Sequence, residues 1–183
     1  MVYKFRIVSD EVDNFRLEIM IDAEDTFLRL RNAILDAVGY TKDEMNSFFI
    51  CDDDWCKEKE ITLMDMGSDS DQDIWLMDET HLNELIEDEG QKMSFMFDYM
   101  TERSFFMELK EVITGKTLKD PVCNIKAGEA PKQFVDIEEM NAKATKDVTT
   151  ANPDYLDDDS YGDESFNDDE LGEGFENLPD GEE

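Results

Sequence analysis

Residues 25–39 read DTFLRLRNAILDAVG, and the fold turns on how this stretch is understood. Phe27, Leu30, Ile34 and the pair Ala37/Val38 recur at helical spacing, so they line one side of an α-helix. Asp25 or Thr26 can accept a hydrogen bond from a first-turn amide. Gly39 can take the left-handed backbone that ends a helix. A single amphipathic helix has one face to bury, and neighbouring strands must supply the surface for it.

Those strands are legible on both sides. Residues 2–8 alternate, with Tyr3, Phe5 and Ile7 on one face and Lys4 and Arg6 on the other. After a polar turn at 9–14, residues 15–21 alternate again, with Phe15, Leu17, Ile19 and Ile21 inward. Arg16 and Glu18 then face out beside Lys4 and Arg6, and Glu18 is the one of opposite sign. The two strands are expected to form an antiparallel hairpin. Beyond Gly39, Thr41 and Glu44 have capping-box spacing and predict a short helical turn. SFFIC at 47–51 reads as a buried strand, 52–60 as a charged exposed loop holding Trp55 and Cys56, and 61–66 as a short strand or turn. A polar loop is expected at 67–73. Asp78 or Thr80 can cap a second short helix with Leu82, Leu85 and Ile86 inward, closed by Gly90.

Two further alternating runs follow. Met93, Phe95, Phe97 and Tyr99 share one face, as do Phe105, Met107, Leu109 and Ile113. A short polar link makes them a second hairpin. The stretch 114–133 has no periodicity and reads as a segment wrapping the domain. Residues 135–146 carry Ile137, Met140 and Ala144 at helical spacing. The fold class expected is α+β and β-grasp-like: a mixed sheet packed on one main helix, followed by a disordered acidic tail. Three parts result: a body at 1–134, a docking helix and linker at 135–151, and a tail at 152–183.

Charge bounds the function. The chain of 183 residues has 49 acidic and 17 basic residues, a formal charge of −32. Fourteen of the acids lie from Asn152 onward, where there is no Lys or Arg; the body retains 35 acids against all 17 bases. A nucleic-acid surface needs clustered Lys and Arg, and an anionic membrane repels such a chain. Direct binding of nucleic acid or membrane is therefore not expected, and the macromolecular partner expected is a basic protein. No apolar run suits a membrane span, and the opening residues lack the apolar core of a secretory signal. Three cysteines without framework spacing point to free thiols and a cytoplasmic setting.

The tail mixes acids with aromatic residues. Tyr155, Asp157, Asp158, Asp159, Tyr161, Phe166 and Phe175 are the candidate partner-binding residues, because apolar groups set among like charges are how acidic recognition segments are built. A solubilising tail is the plainer reading of the same composition. One-sign charge and low hydrophobicity cannot repay the entropy of ordering. Asp157, Asp159, Gly162 and Asp163 fall at calcium-loop positions, but Tyr161 and Asp168 break the pattern and no amphipathic helices flank it.

The order of these segments resembles a known family. The strand pair, TFLRLRNAILDAVGY, MNSFFI, the run HLNELIEDEGQKMSFMFDYMTERSFFMELKEV and then PVCNIKAGEAP are similar to the plasmid pRiA4b ORF-3-like family over about residues 2–135, short of the acidic tail. Phe97-Asp98-Tyr99 matches the first half of a hairpin motif of that family, while Met100-Thr101-Glu102 replaces its Gly-Asp half. Of its Cys-rich finish, Pro121, Cys123, Gly128 and Pro131 remain and the second cysteine is absent. The resemblance implies a fold and no settled activity.

Candidate chemistry is sparse. His81, the one histidine, stands among Asp78, Glu79 and Glu84 and reads as an exposed residue without a catalytic role. Cys51 and Cys56 lack the second close pair a zinc site needs, with Cys123 and His81 each alone. Asp98 with Arg103 reads as an ion pair supporting a turn. No phosphate loop, metalloprotease helix, nucleophile elbow or dinucleotide fingerprint is present. No cofactor, metal site or catalytic residue is assigned. The leading expectation is a non-catalytic adaptor whose acidic surface engages a basic partner, such as a nucleic-acid-binding protein. The alternatives are an enzyme with its site near Asp98, Arg103 and Cys123, and a metal-binding protein.

Overall fold

The computed structural model describes residues 1–65 and 74–135. The 67–73 loop, the 135–146 helix beyond its first residue and every candidate residue of the tail lie outside the described residues. The rest is one compact unit, Met1–Asp136.

Among the described residues eight strands form a single mixed sheet: β1 Val2–Val8, β2 Arg16–Asp22, β3 Ser47–Cys51, β4 Lys57–Thr62, β5 Trp75–Leu76, β6 Lys92–Asp98, β7 Arg103–Ile113 and β8 Val122–Ala127. Their spatial order is β5-β4-β3-β6-β7-β1-β2-β8. Every pairing is antiparallel except β4 with β5. The helices of the described residues, α1 Phe27–Val38 and α2 Leu82–Leu85, make this an α+β fold.

The helix at 25–39 forms as its sequence requires. The Thr26 hydroxyl accepts from the Arg29 amide, and Gly39 closes α1 at φ 78° with its amide on Leu35 O. Phe27, Leu30, Ile34 and Leu35 are fully buried, against Tyr3, Phe5, Ile7, Leu17, Ile19, Phe48, Phe95, Phe105, Met107 and Leu109 from one face of the sheet. Each large apolar side chain buried there contributes about 1.5–3 kcal/mol. Aromatic rings fill the centre, with Phe48 on Phe95 at 4.7 Å and Phe97 on Phe105 at 4.6 Å between centroids. α2 sits beside the start of α1: the Leu82 amide donates to Asp25 O, and Tyr3 Oη donates to Ile86 O at 2.7 Å.

Several expectations are corrected. Residues 41–44 form bends and no helical turn, because Arg31 Nη2 takes the Lys42 and Glu44 carbonyls at 2.7 and 3.0 Å. The charged stretch 52–60 is a tight turn followed by strand β4, whose side chains are exposed up to Glu60. The segment 114–133 contributes β8, paired with β2. Ile113 is not fully buried, because a bulge opposite Lys4/Phe5 shifts the register and brings Val112 against the core instead. Tyr99 lies just past β6 and is 43% exposed. Lys4 pairs with Glu111 of β7, and Glu18 with Arg16 of its own strand, although Arg6 stands directly opposite Glu18.

Candidate functional site

The sequence candidates outside the tail are dispersed. Cys123 stands opposite Ile19 in edge strand β8. Arg103 begins β7, three strand spacings away in the order β7-β1-β2-β8, or about 14 Å across the sheet. The structure therefore does not bring Asp98, Arg103 and Cys123 together. Among the described residues no group of three His, Cys, Asp or Glu is placed to hold a metal, and the three thiols are free.

Arg103 and Asp98 are occupied in architecture. Arg103 Nε and Nη2 both bond the Glu11 carboxylate at 2.8 Å, and Nη2 also reaches Lys132 O at 2.8 Å. The guanidinium lies 5.0 Å over the Phe97 ring. Burial opposes its charge, but Glu11 outweighs this and holds the group above its ordinary pKa. The Asp98 carboxylate accepts from the Met100 amide at 3.0 Å and the Thr101 hydroxyl at 2.6 Å, and lies 3.7 Å from Arg103 Nη1. The expected ion pair is present, but Glu11 is the closer partner. Tyr40 Oη donates to Pro131 O, and Gln133 exchanges two bonds with the Thr41 backbone at 2.8 and 3.1 Å. These groups staple 131–133 to the sheet end. Arg103→Ala is expected to cost about 2–3 kcal/mol and to expose 128–134 to protease; urea melts and limited proteolysis check both. Arg103→Lys retains charge without the planar fork and is expected to recover only part of the loss.

Cys123 lines a shallow groove of about 430 Å³ between α1 and β8, with Arg29 at its rim. Arg29 is engaged with Asp25 and Asp120, each at 2.9 Å. Burial raises the pKa of Asp25 against the pull of Arg29. His81 is exposed; its amide donates to Glu84 Oε1 at 2.9 Å and its Nδ1 meets Glu24 O, so it serves the start of α2. Cys51 is buried beside Ser94, and burial pushes its thiol upward, which disfavours the thiolate.

The surface that sequence reasoning missed is the sheet face opposite α1. Its strands pair so that two rows run side by side. One row is Lys57, Cys51, Lys92, Glu108, Arg6 and Glu18; the adjacent row is Glu60, Phe49, Ser94, Phe106, Val8 and Arg16. Trp55 from the β3–β4 turn stands edge-on to Phe106 at 5.0 Å and is 36% exposed. Its backbone is left-handed, φ 66°, a costly state for a bulky residue. The Asp52 carboxylate holds that turn through the Asp54 and Cys56 amides at 2.9 and 2.8 Å. Lys57 lies 4.2 Å over the Phe49 ring and Lys92 5.3 Å from the Trp55 ring. The signal was present: SFFIC at 47–51 and SFFM at 104–107 each carry two adjacent phenylalanines, so one of each pair, Phe49 and Phe106, must face outward.

Comparison with known proteins agrees with the architecture. A crystal structure of a protein of unknown function, MM3350 from Methanosarcina mazei Go1, superposes with a TM-score of 0.53 at 13% identity over 68% of each chain. Among curated proteins none matches. The family model for plasmid pRiA4b ORF-3-like protein matches residues 3–169, so the likeness runs past 135 and into the acidic stretch that the residues alone had placed outside it. By that match, across most of its length, the chain belongs to the plasmid pRiA4b ORF-3-like family.

Proposed function

We propose that this protein is a non-catalytic protein-interaction module, an adaptor whose acidic surface and tail engage a basic partner. The observation that carries the reading is the charge: −32 overall, with 14 acids and no base from Asn152 onward. Such a field speeds encounter with a basic protein and makes binding fall with salt. A nucleic-acid-binding protein fits that partner chemistry, with carboxylates standing in for phosphates. The reading takes the body at 1–134 as β-grasp-like in the sense of one main helix on a mixed sheet. It takes 135–151 as a linker with a docking helix, 152–183 as a disordered tail, and the setting as cytoplasmic. No described helix is long and apolar enough to cross a membrane.

The test is affinity capture from host lysate with the full chain and with a chain ending at Ala151, at low and moderate salt. A partner held at low salt by the full chain, and lost on truncation or with salt, is the expected result. A partner retained without the tail at moderate salt sinks the tail's part in the mechanism.

A further inference from the structure

The two rows of the outward sheet face carry charges of both signs in a definite order. Counted from the line between β6 and β7, Lys92 and Lys57 lie on the first and third strands toward β4, while Glu108 and Glu18 lie on the first and third strands toward β2. In the second row Glu60 ends the β4 side and Arg16 ends the β2 side. Opposite signs therefore stand at mirror places about this midline. Arg6 is the exception, with neutral Cys51 as its counterpart. Beyond the first row, the acidic turn at 52–54 has Lys4 and Met20 at its mirror place. Within one copy these charges are only partly matched. Lys57 rests on Phe49 and Glu60 accepts from Tyr99 Oη, and neither has an ion-pair partner among the described residues. Arg16 approaches Glu18 only to 3.8 Å, Lys92 donates to Asp53 O, and Glu108 holds Lys110 through one oxygen.

We propose that this face docks on the same face of a second copy of the chain, sheet on sheet, as an isologous dimer. A face whose charges reverse sign across its midline is complementary to itself. A twofold axis lying between the two sheets along that midline lays each place on one copy over the mirror place on the other. Lys57 then meets Glu18, Lys92 meets Glu108 and Glu60 meets Arg16, each pair occurring twice. Between these ends Phe49 falls on Val8 and Phe106 on Ser94, and all three apolar side chains are only half-buried in the single chain. Trp55, 5.0 Å from the Phe106 ring and 5.3 Å from the Lys92 amine, stands near the axis, where an aromatic anchor contributes most. Paired sheets of this kind pack about 10 Å apart with strands within about 30°. Six strands at about 4.8 Å and three to four rows at about 7 Å span roughly 600–800 Å², close to the ~800 Å² per partner of a standard stable interface. The net charge of each copy opposes the approach, but at an ionic strength of about 0.15 M charges farther than roughly 8 Å are largely screened. The dimer goes beyond the adaptor reading and does not use the tail.

The test is sedimentation of the full chain over a range of concentrations at physiological salt. A dimer with a Kd of about 10 µM or tighter is expected. Lys57→Glu combined with Lys92→Glu sets like charges against Glu18 and Glu108 of the other copy and is expected to weaken self-association about ten-fold or more. Glu18→Lys combined with Glu108→Lys is expected to do the same. Mixing the two double variants restores every opposite pair, because each reversed residue then meets a reversed partner and each native residue a native one. A heterodimer of wild-type strength is therefore expected, a result that misfolded variants cannot give. Lys59→Glu, opposite Ile50 and so on the other side of β4, is expected to leave the dimer unchanged. A full chain that stays monomeric up to about 100 µM overturns the proposal. So do double variants that self-associate within two-fold of wild type, or a mixture that fails to form the heterodimer. Capture of a basic lysate partner through the tail is a separate result, so either reading can fail alone.

Discussion

Arg31→Ala is expected to destabilise the protein by about 3–5 kcal/mol, a large share of the stability of an ordinary domain. Arg31 projects from α1 and is 3% exposed. Its Nε donates to Asn46 Oδ1 at 2.8 Å, its Nη1 to Asn32 Oδ1 at 3.2 Å, and its Nη2 to two carbonyls of the 42–44 bend. Asn46, fully buried, passes the connection on to Phe97 O at 3.3 Å. Alanine removes the donor and leaves Asn46 Oδ1 and the carbonyls stranded, which costs more than the net worth of the bonds. Burial already lowers the pKa of this guanidinium, so the wild-type site bears a desolvation cost that its hydrogen bonds offset. Arg31→Met separates the two contributions: it refills the space but restores no donor, and it is expected to recover only a minor part. Urea denaturation with an unchanged m-value checks this. A loss below about 1 kcal/mol for alanine shows that water replaces the guanidinium.

Gly128→Ala has the second largest expected effect. Gly128 follows β8 at φ 71°, where a side chain is disfavoured by about 1–2 kcal/mol. A Cβ there meets Asn14 O at 2.5 Å and Asn14 C at 2.8 Å, both backbone atoms of the β1–β2 turn. The chain must move, so about 2–4 kcal/mol is expected, concentrated at one edge. Hydrogen exchange should accelerate in 122–134 while the amides of β6 and β7 keep their protection. Uniform acceleration across the sheet contradicts a local effect, and unchanged exchange contradicts the close approach itself.

The sequence disclosed the elements whose patterns are governed by one buried face. α1, β1 and β2 follow from spacing and capping chemistry, and β6 and β7 from alternation. β4 hid because its first four residues, Lys57 to Glu60, are exposed, so nothing forces apolar residues into them, and the strand enters the core only at Ile61. β8 hid because its bulge between the partners of Glu18 and Ile19 interrupts the alternation in VCNIKA. Arg31 was invisible as a core residue, since an arginine in a helix is ordinarily solvated; only the fold shows the carbonyls that it meets. The aromatic outward face needed the strand register, which no single-strand pattern supplies.

The position of β1 carries a consequence for how the chain is made. Strand β1 precedes the other strands of this sheet in the chain yet lies between β2 and β7, and Val2 meets Ile113 only after most of the body has been translated. Until then the β1–β2 ribbon has an open edge carrying Tyr3, Phe5 and Ile7, the composition from which off-pathway pairing begins. Contacts so distant along the chain close slowly. The excess of negative charge throughout the body then has a use during biogenesis: like-charged nascent chains repel each other during the interval when β1 awaits its partner.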